Sequence, residues 1–575
     1  MKVPLSLVYL LAGASVAFAA DAHPVVPAAD TSSSELRSAI EQFSADSQSL
    51  DRAYPIHISE TRRARFDRFY REQQAALVRI DFDHLSQDGK IDYLLFRNHL
   101  ERQREQLSID AAQAVEIEPL IPFAKTIIDL EEGRRRMEPV DPQKAAEKLA
   151  EMVRSIDQAR RAPGRDSQKP FVARRAASAL ASLRNDLKTW YTFYNGYDPQ
   201  FTWWMEDPYK RVDGALNNYV KYLRDQLGGQ REGDDSAIAG DPVGREALMN
   251  DLAYNMIPYT PEELIALARK EYDWCEKEMI RASREMGDGD DWHKALEQVK
   301  SDYVEPGKQP ELVHRLAEEA IDYVTSRDLV TVPALAKEDW WEEMLSPESQ
   351  LTAPFFLGGD LILVAFPTNT MTEEQKLMSL RGNNIHFARS TVFHELIPGH
   401  HLQGFMQNRY RTYRAPFATP FWSEGNAFYW ELLLWDMGFS KTPQDRIGML
   451  FWHMHRAARI IFSLSFHLGQ MTAEECVDFL VNGVGFERDN ARAEVRRSFD
   501  GSYEPIYQCG YMLGALQFYA LHHELVDSGK MTNRAFHDAI LQENSIPVDL
   551  IRADLTHEKL TRDYKSTWKF FPQRP

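Results

Sequence analysis

The sequence predicts a mainly α-helical protein with one small β element, and three observations lead to this fold class. Long stretches rich in Ala, Leu, Arg and Glu carry apolar residues at helical spacing, as in residues 145–156 and 173–191. Strong helix-starting signals recur, such as T-P-E-E at 260–263, which has an N-cap, a proline at the first helical position and a capping-box glutamate. Only residues 354–367 combine β-prone apolar runs with a pair of glycines.

The first nineteen residues have the features of a secretory signal peptide. Lys2 precedes a hydrophobic run over residues 5–16, and Ala-Phe-Ala at 17–19 is a small-x-small cleavage site. The run is short for a membrane span, and no cysteine directly follows it for lipid attachment. We therefore expect a periplasmic or secreted protein without stable membrane insertion after cleavage, the alternative being an uncleaved anchor. Residues 20–31, rich in Ala, Pro and Val, are predicted to be a tether.

The rest of the chain, residues 32–575, is predicted to form a single helical domain. Residues 228–244 are rich in Gly, Asp, Ser and Pro, which is typical of a linker. The domain can therefore divide into two lobes, an N-terminal helical lobe over 32–227 and a second lobe over 245–575. The formal net charge of −19 argues against nucleic-acid binding, because that function needs a basic surface. The three cysteines form no disulfide framework and lack the spacing of a cysteine metal site.

The β-prone stretch at 354–367, P-F-F-L-G-G-D-L-I-L-V-A-F-P, predicts a β-hairpin that turns at Gly358-Gly359-Asp360. Two interpretations are open. An edge strand of this kind can bind the backbone of an extended peptide through its free N–H and C=O groups. Alternatively, the hairpin contacts no ligand and has a structural role only.

The densest group of chemically active residues is F-H-E-L-I-P-G-H-H-L-Q at 393–403, which contains His394, Glu395, His400 and His401. Zinc peptidases commonly carry H-E-x-x-H on a helix, where the two histidines bind the ion and the glutamate is the general base. Here the second histidine comes late. The alternative interpretation, a solvated histidine pair at a helix end, leaves the glutamate after the first histidine unexplained.

The spacing of this motif predicts a break in its helix. Six residues of regular α-helix turn through about 600°, which places His400 about 240° around the axis from His394. Pro398 removes a helical hydrogen bond and clashes with the preceding turn, and Gly399 lets the backbone bend. We therefore expect a kink or bulge that brings His400 beside His394, with His401 as the alternative second ligand.

A catalytic zinc site needs a third protein ligand. The stretch F-W-S-E-G-N-A-F-Y-W-E-L-L-L-W-D-M-G predicts a mostly apolar helix with Ser423 as N-cap and Gly438 as its C-terminal stop. Glu424 would then lie in the first turn, as a partner of the helix dipole or as a metal ligand. Glu431 shares its face, as a partner of a ligand or as a rival ligand.

The motif H-E-x-x-P-G-H-H-L-Q followed by E-G-x-A-x-Y-x-E-x-L resembles the family labelled domain of unknown function 885. The resemblance also covers T-P-E-E-L at 260–264, R-A-A-R at 456–459, the region of His467 and Y-Q-C-G-Y-M-L-G at 507–514. It is weak in the N-terminal half and strong from about residue 390. That family is grouped with zincin peptidases whose third ligand is a glutamate on a later helix, which implies a large helical zincin-like metallohydrolase with the β element beside the active-site helix.

The resemblance implies a site in which Zn²⁺ is bound by His394, His400 and Glu424. Glu395 would be the general base for a metal-activated water, and the donor to the developing oxyanion would be Tyr511, Tyr507, His467 or Arg497, with Tyr511 as the leading candidate. Three further residues of the C-terminal helices are candidates for substrate binding, although each also has a purely structural interpretation: Arg497, Tyr507 and His467.

The leading hypothesis from the sequence is an exported zinc peptidase that acts on a peptide or a small amide. A metal-dependent amidase or lyase for a small molecule is the second hypothesis, which a small closed pocket would favour over a long cleft. A non-catalytic scaffold is the third, and the retained Glu395 and histidines count against it. The sequence does not indicate the oligomeric state.

Overall fold

The chain was examined as a computed structural model. It describes residues 34–162, 169–229, 238, 240–350, 355–501 and 503–571. The predicted signal peptide and tether, most of the predicted linker and Pro354 at the start of the hairpin stretch lie outside these ranges. The protein is mainly α-helical, as predicted. In the described part of the chain, no helix is both long enough and apolar enough to cross a membrane.

Seven helices precede the linker region. They are α1 (Arg37–Ala53), α2 (Glu60–Val78), α3 (Gln87–Ile117), α4 (Ala124–Arg135), α5 (Pro142–Arg161), α6 (Pro170–Tyr194) and α7 (Pro199–Lys221). Short 3₁₀ turns cover Phe82–His84 and Glu118–Leu120, and α7 ends in a π-helical turn over Tyr222–Leu227.

The next elements lead to the small sheet. They are α8 (Gly244–Tyr254), α9 (Pro261–Met286), α10 (Trp292–Lys300), α11 (Gln309–Ser326), α12 (Ala334–Glu338), β1 (Glu342–Met344), α13 (Pro347–Gln350), β2 (Phe356–Leu357) and β3 (Ile362–Val364). The capping box predicted at Thr260 and Glu263 is present at the start of α9.

The remaining helices build the site. They are α14 (Glu373–Gly382), α15 (Ile385–Glu395), α16 (His400–Gln407), α17 (Pro420–Asp436), α18 (Pro443–His467), α19 (Ala473–Phe479), α20 (Arg488–Phe499), α21 (Tyr507–His522), α22 (Asn533–Gln542) and α23 (Val548–Leu555). A 3₁₀ turn covers Thr412–Phe417, and π-helical turns cover Leu480–Val484 and His523–Asp527.

The hairpin predicted around Gly358 and Gly359 is confirmed. Strand β2 pairs antiparallel with β3, with Phe356 opposite Val364. Strand β3 also pairs in parallel with β1, which the sequence did not predict, so the sheet has the order β1-β3-β2. Strand β2 is therefore at one edge of the sheet, beside α15.

The cores do not follow the two lobes suggested by the linker. Helices α4 to α7 enclose one core around Trp190, Leu180 and Phe201. Helices α1 to α3, however, bury Phe43, Leu94 and other residues in a core that they share with α17, α21 and α23. The predicted N-terminal lobe at 32–227 is thus not one packing unit, because its first three helices pack with the C-terminal half.

Two helices at the centre are buried nearly all round. Helix α18 has almost no exposed face, and α21 is apolar on every side, which is typical of helices inside a large domain. Helices α17 and α21 cross where Gly425 meets Gly514. A Cβ atom on Gly514 would lie 1.9 Å from the carbonyl oxygen of Phe421, so this crossing requires glycine. The close approach positions α17 against the tyrosines of α21.

The start predicted for α17 was wrong. The helix begins at Pro420 with Thr419 as N-cap, and the Thr419 hydroxyl accepts a hydrogen bond from the N–H of Phe421. Ser423 therefore lies inside the helix, and Glu424 is its fifth residue rather than part of the first turn after a serine cap. The predicted end is correct, since the helix stops just before Gly438, which has φ of +70°.

Candidate metal centre

The predicted break in the motif helix is confirmed. Helix α15 ends at Glu395 and α16 begins at His400, and the Ile397–Pro398 peptide bond between them is cis. Gly399 lies against the end of α15 so closely that a Cβ atom there would lie 1.8 Å from the carbonyl oxygen of His394. The break brings the His394 and His400 rings within 5.0 Å of each other. Their convergence is a property of the backbone.

The two adjacent histidines point in different directions. His400 faces His394, whereas His401 is directed towards the sheet. The Nδ1 atom of His401 lies 3.2 Å from the carbonyl oxygen of Gly359, and its Nε2 atom lies 2.8 Å from that of Ala336. His401 therefore fastens the hairpin turn and α12 to α16. The geometry favours His400 over His401 as the second ligand.

Glu424 completes a compact group of three potential ligands. Its Oε2 atom lies 3.2 Å from Nε2 of His400 and 3.7 Å from Nε2 of His394. The ligand atoms of the three residues all lie within 4.8 Å of one another. In the described residues this is the one group of three or more histidine, cysteine or acidic side chains with such spacing. Two imidazoles and one carboxylate are a ligand set typical of catalytic zinc.

Glu431 orients the first histidine. Its Oε1 atom lies 2.8 Å from Nδ1 of His394, opposite the nitrogen that faces Glu424. Metal-binding histidines commonly donate their second ring N–H to a carboxylate, which fixes the tautomer and the ring orientation. Glu431 thus has the position of a partner of a ligand, one of the two roles that the sequence left open for it. The Oε1 atom of Gln403 lies 3.2 Å from Nδ1 of His400, so Gln403 is placed to orient the ring of His400 as Glu431 orients that of His394.

The electrostatics of the group favour a positive charge at its centre. Burial raises the pKa of the Glu424 carboxyl, but the adjacent His400 and His394 outweigh this effect and hold that pKa well below its ordinary value. Burial lowers the pKa of His400, but the Glu424 carboxylate raises it to about 9. In the protein without metal, a proton therefore remains between these side chains. A metal ion would replace that proton, since metal binding requires deprotonated ligands.

Glu395 lies at the end of α15, beside the hairpin. It is 8% exposed, and burial raises the pKa of its carboxyl above the ordinary value. A Cβ atom on Gly358 would lie 2.5 Å from its Oε2 atom, so the hairpin turn approaches this carboxylate closely. A carboxyl group with a raised pKa is suited to accept and return a proton near neutral pH.

Two tyrosines of α21 form the opposite wall. The Tyr507 hydroxyl donates a hydrogen bond of 2.5 Å to Oε1 of Glu424, which leaves Oε2 facing the histidines. The Tyr511 ring is stacked 6.3 Å from the ring of His394, and its hydroxyl lies 3.5 Å from Nη2 of Arg497. Burial raises the pKa of both phenols, so both stay protonated as donors.

Three arginines line the same wall. Arg456 and Arg459 come from α18, and Arg497 from α20. Arg459 Nε donates to Glu494 at 2.6 Å, and Arg497 Nε lies 3.7 Å from the same carboxylate. The sequence predicted Arg497 as a site residue but missed the other two, although both are part of the R-A-A-R pattern. Their i,i+3 spacing on an apolar helix was the available signal.

His467 does not reach this site. It is the last residue of α18, and its ring packs edge-on against Phe499 at 5.7 Å and Phe466 at 5.3 Å. Burial lowers its pKa to about 4, which keeps the ring neutral. This position matches the structural interpretation of His467 and gives no support to substrate binding.

His394, His400 and Glu424, called the metal-ligand group from here on, open into a cavity of about 490 Å³. Its lining combines the hairpin, the two motif helices and the tyrosine–arginine wall. The lining residues are Phe355, Phe356, Gly358, Gly359, Leu363, Thr391, His394, Glu395, His400, Gln403, Gly404, Gln407, Ser423, Glu424, Trp452, Arg456, Arg459, Arg497, Tyr503, Tyr507 and Tyr511.

The residues at the centre fit a zinc ion on two structural grounds. The Oε2 atom of Glu424 is buried, and within the described residues it accepts no hydrogen bond of good geometry, although Nε2 of His400 lies 3.2 Å away. Such an acceptor is costly unless a cation or donor satisfies it. The Nε2 atoms of His394 and His400 face this oxygen, and both Nδ1 atoms are engaged elsewhere.

A family model for bacterial proteins of unknown function, DUF885, matches residues 45–555. The chain belongs to this family. The match runs from α1 to the end of α23 and so includes every residue of the metal-ligand group. The DUF885 assignment confirms the family resemblance recognised from the motifs. The description of this family does not specify an activity.

Solved structures with the same fold include the following two. One is a "putative lipoprotein of unknown function" from Shewanella oneidensis, with 18% identity and a TM-score of 0.65 over 90% of this chain and 99% of that one. Another is a "putative lipoprotein" from Colwellia psychrerythraea, with 15% identity and a TM-score of 0.56 over 91% of this chain and 97% of that one. At these identities the likeness concerns the fold alone. No curated protein sequence matches this member of DUF885.

Proposed function

We propose that the protein is an exported zinc-dependent metallohydrolase that cleaves peptide bonds. The observation that carries this proposal is the convergence of His394, His400 and Glu424 within 4.8 Å, directly beside Glu395. When bound there, a zinc ion would polarise the scissile carbonyl and make water acidic enough to ionise near neutral pH.

The protein side chains have complementary roles in this proposal. Glu395 accepts the proton of the attacking water and passes it to the leaving nitrogen, so that the C–N bond breaks as a C–O bond forms. Tyr511 donates a hydrogen bond to the developing negative charge on the carbonyl oxygen. Tyr507 keeps Glu424 in place through its hydrogen bond to Oε1. Glu431 holds His394 in the tautomer that leaves Nε2 available.

The hairpin is proposed to position the substrate backbone. Strand β2 is an edge strand, and Phe356, Gly358 and Gly359 line the cavity. An extended peptide can pair with the free backbone groups of such an edge. This is the substrate-binding interpretation of the two that the sequence left open.

The size of the cavity favours short substrates. A volume of about 490 Å³ lies within the roughly 300–1,000 Å³ typical of small-molecule pockets. Short peptides fit, and so does the second candidate function, hydrolysis of a small amide. A long protein substrate would need an open cleft. A scaffold role has less support, because a scaffold needs neither Glu395 nor the oriented histidines.

Export is part of the proposal. It rests on the predicted signal peptide over residues 1–19, and it agrees with the description of the two solved relatives as lipoproteins. We propose a periplasmic or secreted location, reached by cleavage after Ala19.

The experiment that tests this function combines metal analysis with turnover. Purified protein should contain about one zinc per chain and hydrolyse members of a library of short peptides and small amides. The Glu395→Gln variant should retain the metal and lose turnover. Hydrolysis of small amides without hydrolysis of peptides would favour the second candidate function. Equal activity of Glu395→Gln and the natural protein would refute the proposed mechanism.

A further inference from the structure

Two arginines of the cavity have no role in the hydrolysis described above. Arg456 and Arg459 lie one turn apart on α18, and both line the cavity beside the metal-ligand group. They are only 5% and 3% exposed, respectively. Burying a guanidinium is costly unless its N–H groups are satisfied and its charge is balanced.

Each of these arginines retains a buried donor without a partner. Within the described part of the chain, Nε of Arg456 and Nη1 of Arg459 make no hydrogen bond. The neighbouring carboxylates are shared with other groups. Glu431 lies 3.7 Å from Arg456 but only 2.8 Å from His394. An unsatisfied buried donor destabilises the protein, and more so when it is charged, so a ligand that satisfies these donors is favoured.

The guanidinium groups of Arg456 and Arg459 favour a carboxylate as their ligand. A guanidinium presents a planar fork of N–H groups that matches the two oxygens of a carboxylate. The Tyr511 ring lies 4.8 Å from the Cζ atom of Arg456 and 4.1 Å from that of Arg459, which holds both guanidiniums in place. The ligand would therefore meet preorganised donors.

The distance between these arginines and the metal-ligand group limits how many residues lie between the cleaved bond and the bound carboxylate. The Tyr511 ring lies 6.3 Å from the His394 ring and 4.1 Å from the Arg459 guanidinium. The guanidinium is thus within about 10 Å of the metal-ligand group, and an extended chain spans at most ~3.3–3.6 Å per residue. A carboxylate at the arginines therefore belongs to one of the first three residues beyond the bond that is cleaved.

From these observations we infer that Arg456 and Arg459 bind a free carboxylate of the substrate, and that the enzyme releases fragments of one to three residues from the C-terminal end of short peptides. This inference rests on the proposed function and adds to it a substrate class. The carboxylate can come from the chain terminus or from an acidic side chain at the same distance, and the experiment separates these sources.

The first arm of the experiment compares matched substrates with the zinc-loaded full-length protein. Acetyl-tetraalanine is compared with its C-terminal amide and with an amide that carries Glu at one of its last three positions. The free acid should have a kcat/KM roughly 10- to 100-fold higher than the tetraalanine amide, because one or two charged hydrogen bonds are lost with the amide. Restoration by Glu in the amide would show that the site also accepts an acidic side chain, and no restoration would assign it to the chain terminus. Equal kcat/KM for all three would overturn the inference.

The second arm measures binding without hydrolysis. Calorimetry with the zinc-loaded Glu395→Gln variant compares acetyl-dialanine with its amide. Tighter binding of the free acid supports the carboxylate site even if the natural protein hydrolyses no peptide, in which case the proposed function alone fails. Equal binding of acid and amide, or no binding of either, overturns the carboxylate site.

Variants of Arg459 test whether the preference for the free acid over the amide depends on this residue. Arg459→Lys keeps a charge beside Glu494 but loses the planar fork, so the ratio of kcat/KM for the acid to kcat/KM for the amide should shrink. Arg459→Met removes the guanidinium while Arg497 remains beside Glu494, and it should abolish the preference. Circular dichroism confirms folding in each case. An unchanged ratio of acid to amide in either folded variant would refute the assignment.

Discussion

The side chains of His400 and Glu424 meet with Nε2 and Oε2 3.2 Å apart, although one residue begins α16 and the other lies inside α17. Glu424 holds this position because Tyr507 occupies its other oxygen. His400 holds its position because α16 starts afresh after Gly399. The meeting of these two side chains, with His394 alongside, is the feature on which the predictions about metal binding depend.

Loss of any one ligand should release the metal. His394→Ala, His400→Ala and Glu424→Ala each remove one lone pair from the ion, so zinc occupancy after dialysis should fall below that of the natural protein. Elemental analysis of the purified variants measures this. Glu395→Gln should keep full occupancy, because Glu395 is proposed to transfer protons and is not one of the three proposed ligands. His401→Ala is the control for His400, and it should also keep the metal. If His401→Ala strips zinc while His400→Ala does not, the second ligand is His401.

The break before α16 should tolerate only glycine at residue 399. In Gly399→Ala the new Cβ atom would lie 1.8 Å from the carbonyl oxygen of His394, so the two motif helices must separate. We expect a loss of stability of about 1–3 kcal/mol or more, with reduced zinc affinity. Denaturant unfolding and zinc titration measure the two effects.

Gly404→Ala is the matched control in the same helix. A Cβ atom on Gly404 meets no atom within 4 Å, so this change should be neutral or stabilising by up to about 1 kcal/mol. A Gly399→Ala variant as stable as Gly404→Ala would contradict the close approach described for the break.

The two tyrosines of α21 should be separable by experiment. Tyr511→Phe removes a hydroxyl proposed to stabilise the developing oxyanion, so kcat should fall about 10²- to 10³-fold while zinc affinity is unchanged. Tyr507→Phe removes the donor to Glu424, so zinc affinity should fall by about 10- to 100-fold. Steady-state kinetics at saturating zinc and competition with a chelator give the two quantities. If zinc affinity falls for Tyr511→Phe and not for Tyr507→Phe, Tyr511 rather than Tyr507 supports the metal ligands.

Buried His99 should make the protein less stable in mild acid. Its ring packs edge-on against Phe43 and Phe417, each at 5.6 Å, and burial lowers its pKa to about 4. Because the unfolded chain binds the proton with a pKa of about 6.5, stability is full above that pH and decreases as the pH falls towards 4. At pH 5 this one group should cost about 2 kcal/mol.

The His99→Phe variant tests this estimate. Relative to the natural protein, its free energy of unfolding should rise by about 2 kcal/mol between pH 7.5 and pH 5, whatever the offset at pH 7.5. Urea unfolding at the two pH values measures the change. Parallel behaviour of His99→Phe and the natural protein would refute the role of His99.

Local signals in the sequence were sufficient to predict the fold class, the hairpin and the break in the motif helix. Helix-forming composition and capping boxes predicted the mainly α fold, because these signals act within a few residues. The glycine pair predicted the hairpin for the same reason. The motif at 393–403 predicted both the helix break and the convergence of His394 with His400, because a proline and a glycine at that spacing leave a regular helix no way to align the two histidines.

Only the tertiary structure decided what surrounds the motif. The choice of His400 over His401 depended on carbonyl groups of Ala336 and Gly359, which belong to elements far away in the chain. The start of α17 was missed although Thr419-Pro420 has the same N-cap and first-position proline as Thr260-Pro261 at the start of α9. The parallel pairing of β1 and the place of Arg456 and Arg459 in the cavity wall arise from long-range packing. Such contacts depend on which helices meet, and the spacing of residues along one helix does not contain that information.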